Sequence, residues 1–124
     1  MQPEILATGI GVLSAAGQGK PAFASALLAG ESAFGIMQRP GRQSGSAYIG
    51  AELPEIAFPP SISKQTVRAA SLSAQAALVA LDEAWAEARL SDVEPRRIGL
   101  VVGGSNVQQR ELVLVHESYR DRAD

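Results

Sequence analysis

Residue types that do chemistry are sparse in this chain of 124 residues. There is no cysteine, so neither a thiolate nucleophile nor a disulfide framework is available. The single histidine, His116, excludes a multi-histidine metal site. What remains is a set of glycine-rich turns. The first lies in EILATGIGVLSAAGQG, residues 4–19. A dinucleotide fingerprint needs G-x-G-x-x-G, and here Gly9 and Gly11 are followed by Ser14 at the third glycine. A P-loop needs G-x-x-x-x-G-K-[ST]. Gly19 and Lys20 fit its centre, but Ser14 stands at the first glycine and Pro21 at the magnesium-binding hydroxyl. Both motifs are broken, and the plainer account is a tightly packed strand, turn and helix. The second turn is Gly103-Gly104-Ser105-Asn106-Val107-Gln108-Gln109-Arg110-Glu111. On residue types alone, Ser105 or Asn106 caps a helix there, and Glu111 adds favourable charge to its first turn. A small polar cluster, Arg39, Arg42 and Gln43, reads either as a solvated loop or as a contact for a phosphate or an acidic partner.

These turns need elements to position them. Residues 5–10 form an apolar run that does not alternate with polar residues, which suits a strand covered on both faces. Residues 21–29 predict a short helix with Pro21 in its first turn and Gly30 as its stop. Residues 33–37 suit a short extended piece. The loop-rich stretch 38–60 holds one strand candidate, 46–51, at an edge or in a hairpin. A long helix is expected over 63–90, capped by Ser61 or Ser63. Its apolar positions, among them Ala74, Leu78, Leu81, Trp85 and Ala88, mark one face, with Trp85 as an anchor of the core. Residues 91–95 break it, and 97–102 read as a second buried strand. Strand, long crossover helix and strand imply parallel pairing with a right-handed connection, hence an α/β fold. A last helix opens near Val107 or Gln108, with Leu112, Val115 and Tyr119 on one face.

Composition narrows the function classes. The net charge is −2 with both signs scattered, so nothing points to nucleic acid or to a disordered charged tail. No apolar run is long enough to span a membrane and no signal peptide opens the chain, which makes the cytoplasm the expected location. Abundant Ala and Gly with few aromatics favour close helix–sheet packing.

Three separated motifs resemble one family. Residues Ala7-Thr8-Gly9-Ile10-Gly11-Val12-Leu13-Ser14, then Gly17, are similar to the opening strand of β-ketoacyl synthases, roughly T-G-x-G-x-x-[ST]-x-x-G. Leu27-Leu28-Ala29-Gly30-Glu31-Ser32 resembles the family's helix ending L-L-x-G-x-S. Val93-x-Pro95-x-Arg97-Ile98-Gly99-Leu100-Val101-Val102-Gly103 is similar to its linker and strand, R-I-G-[VLA]-V-x-G. The resemblance implies a thiolase-like α/β fold, with residues 1–124 as the first part of its amino-terminal half: a parallel or mixed sheet with packed helices. The family's nucleophilic cysteine and two histidines belong to later motifs, so no catalytic residue is expected here, and His116 stands on the wrong motif. In the family, the turn after the second strand lies near the acyl pocket and the dimer interface. The resemblance therefore assigns substrate contact to Ser105, Asn106, Val107 and Gln108. Their polarity and bulk argue against a long acyl chain.

Gly41-Arg42-Gln43 together with residues 103–111 resembles one subgroup, the ketosynthase-like decarboxylases of polyketide β-branching cassettes. This implies malonyl-carrier-protein decarboxylation once the rest of the fold is present. No cofactor is implied beyond the phosphopantetheine of the acyl carrier protein that holds the substrate. The implied partners are that carrier protein, the remainder of the fold or a second chain, and a second copy of the completed enzyme in a dimer; neither nucleic acid nor membrane is implied. The alternatives are part of a chain-elongating synthase, a non-catalytic interaction module paired with another chain, and, third, a nucleotide-binding domain.

Overall fold

The computed structural model describes residues 4–38, 48–104 and 109–120. Its order is β1 (Leu13–Ser14), β2 (Gly17–Gln18), α1 (Lys20–Ala29), β3 (Gly35–Ile36), β4 (Ile49–Gly50), α2 (Lys64–Ala69), α3 (Leu72–Glu87) and α4 (Gln109–Arg120). Two short 3₁₀ turns, Leu90–Asp92 and Pro95–Arg97, follow α3. Both helices and short strands are present, in the order β-β-α-β-β-α-α-α. The strands, however, form two small antiparallel pairs, β1 with β2 and β3 with β4.

The chain is organised by the contact of residues 9–12 with α3. A Cβ on Gly9 would lie 2.2 Å from the Ala84 carbonyl oxygen, and one on Gly11 would lie 1.7 Å from that of Ala80. Only hydrogen fits at either position, so the segment rests on the helix backbone itself. The alternate residues use their amides. Ile10 N–H donates to Glu87 Oε2 at 2.7 Å, and Val12 N–H donates to Glu83 Oε2 at 2.9 Å. Glycines facing the helix at 9 and 11, with amides on carboxylates at 10 and 12, show the two-residue period of an extended strand. The segment runs antiparallel to α3, since later strand residues meet earlier helix residues. Two strand residues rise about 6.6 Å and four helix residues about 6.0 Å, so successive contacts nearly coincide.

The same glutamates hold α1. Its N-cap is Gly19, which has no side chain to bond the first turn. Glu83 Oε1 instead accepts from Lys20 N–H at 2.9 Å, and Glu87 Oε1 pairs with Lys20 Nζ at 2.5 Å. Pro21 occupies the first turn, and Gly30 ends the helix in the left-handed region at φ 67°, as expected. The Gln18 side chain acts like a peptide group toward the following loop. Its Nε2 donates to Ala57 O at 2.6 Å and its Oε1 accepts from Ala57 N–H at 2.9 Å.

Several expectations are corrected. Residues 5–10 and 97–102 carry no sheet pairing among the described residues, and the parallel pair does not form. Pairing requires a neighbour, and no neighbouring strand lies against either segment here: Ile5 and Val101 are each 94% exposed. The helix expected over 63–90 is two helices. Ala70 adopts an extended conformation, and Ser71 caps α3 by accepting from Ala74 N–H. Gln75 Nε2 donates to Val67 O and Ala70 O, satisfying carbonyls that the break releases. Ser63, not Ser61, caps α2; Ser61 donates to Asp82 instead. Trp85 is only half-buried, its Nε1–H donating to Ser91 Oγ at 3.1 Å. Among the described residues the buried apolar side chains are Ala26 and Val79, each 6% exposed. The packed side of α3 is thus the ridge of Val79, Glu83 and Glu87 beside Ala80, Ala84 and Ala88. Leu78, Leu81 and Trp85, on the face marked by the apolar period, line an open groove on the other side. Of the strand candidate over 46–51, Ile49–Gly50 form β4, while residues 46 and 47 lie outside the described residues; 33–37 contributes β3.

Three outcomes follow for stability. Gly11→Ala should cost about 3 kcal/mol by forcing a methyl into the α3 backbone, whereas Gly35→Ala, with open space at its Cβ, should stay within about 0.5 kcal/mol in the same urea titration. Arg89 sits in the left-handed region at φ 52° just past α3; Arg89→Gly should stabilise the chain by about 1 kcal/mol, read as a raised unfolding midpoint. Glu87 has its carboxyl pKa lowered, first by its hydrogen bond to Lys20 and then by the Ile10 amide, against a smaller opposing effect of desolvation. A lowered folded-state pKa means stability present above the unfolded value and lost as pH falls through the folded one. Stability should therefore drop on acidification below the ordinary glutamate range, and Glu87→Gln should flatten that slope.

Candidate functional site

The strand-and-turn segment that leads into α4 is where the sequence places substrate contact. Its approach, residues 98–104, is described: Gly103 and Gly104 are exposed, and a Cβ on Gly103 would meet open space. Ser105, Asn106, Val107 and Gln108 lie outside the described residues, so their expected contact with an acyl group stays an expectation. The start of the last helix, expected near Val107 or Gln108, falls at the edge of that stretch, and α4 is seen from Gln109. Arg39, Arg42 and Gln43 also lie outside the described residues. His116 is exposed on α4, as are Leu112, Val115 and Tyr119.

The chemistry of the first glycine-rich turn can be settled from its partners. At a P-loop the helix N-terminus and the lysine ammonium bind phosphate. Here both groups of Lys20 are engaged by carboxylates: its amide by Glu83 and its ammonium by Glu87. A phosphate at this helix start would meet two negative charges. The turn is a packing device, and the third alternative, nucleotide binding, draws no support from it. By type alone Glu83 and Glu87 suit an acid/base pair, but between them they accept from three backbone amides and one ammonium. They position α1 and the first strand. Sequence reasoning assigned neither a site; the available signal was their four-residue spacing beside Ala80 and Ala84.

Two open grooves flank α3. One, about 440 Å³, is walled by Ile62, Leu78, Leu81 and Trp85, with Ser61 and Asp82 at its rim. The other, about 340 Å³, lies between α3 and the 57–59 segment beside Gln18. Neither is lined by the 98–104 segment. Among the described residues no group of three His, Cys, Asp or Glu is placed to hold a metal ion, and no helix is long and apolar enough to cross a membrane.

Comparison with known proteins matches the three sequence motifs. The family model described as the β-ketoacyl synthase N-terminal domain matches residues 2–123. The chain is 54% identical over 121 residues to the polyketide biosynthesis malonyl-ACP decarboxylase PksF of Bacillus subtilis (strain 168). That match covers 98% of this chain and 29% of the relative, so the chain spans under a third of the relative's length. No solved structure matches it. With nearly every residue inside the family match, and the strand, helix and R-I-G motifs in their expected order, the chain belongs to the β-ketoacyl synthase family, as a stretch of its amino-terminal domain.

Proposed function

We propose that residues 1–124 form the first part of a thiolase-like enzyme that decarboxylates malonyl groups held on an acyl carrier protein. The observation that carries this is the 54% identity, over 98% of the chain, to a malonyl-ACP decarboxylase. The subgroup resemblance of Gly41-Arg42-Gln43 and of residues 103–111 points the same way. In this reaction the bond between the malonyl carboxylate and its α-carbon breaks. Carbon dioxide leaves, the electron pair passes into a thioester enolate, and protonation of the α-carbon gives the acetyl group. The demand is for oriented donors around the enolate oxygen, not for an acylated cysteine. The reacting groups would come from the portion of the fold outside these residues.

This chain's own contribution is a wall. Ser105, Asn106, Val107 and Gln108 would border the acyl group, their polar bulk limiting it to a short one. The phosphopantetheine arm and the carrier protein would approach from that side, and the completed enzyme would pair as a dimer, as family members do. The experiment is a chimera in which residues 1–124 replace the matching stretch of the Bacillus subtilis relative. It should convert malonyl-carrier protein to acetyl-carrier protein with release of carbon dioxide, followed by intact-protein mass spectrometry. An elongated β-ketoacyl product would instead identify a condensing enzyme, and residues 1–124 alone should be inert. Replacing Gln108 by alanine in the chimera should raise the occupancy by longer acyl groups while leaving the fold unchanged.

A further inference from the structure

We draw no further inference here: the strongest candidate, the open groove along α3 walled by Ile62, Leu78, Leu81 and Trp85, carries none because nothing in the structure shows what covers it.

Discussion

The structure depends on the direct contact between an extended backbone and a helical one. Side chains normally hold a strand and a helix about 10 Å apart; here Gly9 and Gly11 remove them on one side, and Ala80, Ala84 and Ala88 reduce them to methyls on the other. Closeness of this kind gains dispersion contact but exposes a problem. Strand amides lying near a helix have no ladder partner and would be left unsatisfied. Glu83 and Glu87 answer it from the same helix. Each carboxylate has a second oxygen to spare, and both second oxygens go to Lys20. Three elements are thereby tied by two side chains on one ridge.

That arrangement separates the part of the fold written locally from the part that is not. Pro21 and Gly30 bracket α1 because each acts through its own backbone conformation, so the helix was legible residue by residue. The two segments that form β3 and β4 were legible as extended pieces, but not their pairing with each other. The segments 5–10 and 97–102 were recognisable as strand material, yet their pairing was not, because a ladder is a property of two segments. The break at Ala70 escaped notice because the apolar period continues across it; the signal was Ser71 followed by Gln75, a cap and a donor for the freed carbonyls. The packed face of α3 was legible in part: Ala88, on the face the apolar period marks, does pack against Gly9, but Leu78, Leu81 and Trp85 on that face line an open groove. Large apolar residues dominate a periodicity count, while alanines pressed against glycines contribute the closest contact with the least hydrophobicity.

The expected substrate contact came by a different route. Nothing in the composition of residues 103–111 announces a substrate; the reading came from the resemblance of three ordered motifs, and the family match now covers the same stretch. The geometry adds an exclusion that sequence could not supply. Lys20 looks available in the sequence, but it is already neutralised by partners 63 residues or more downstream. A motif's meaning depends on what its groups have left to offer.

The strand and helix rises that nearly coincide also set a limit on how far the seam can run. Each step of two strand residues gains about 0.6 Å on four helix residues, as two rulers of unequal spacing slip apart. Two successive amides can be met within hydrogen-bonding tolerance; a third carboxylate one turn back would meet its amide increasingly off-centre. The series of helix positions reads Glu87, Glu83, Val79, and at the third place the carboxylate gives way to a buried valine. At the corresponding strand position, Ser14, the chain has already turned to pair with Gly17. The hairpin thus begins where the carboxylates end, and the glycine seam spans the two turns of α3 that carry them.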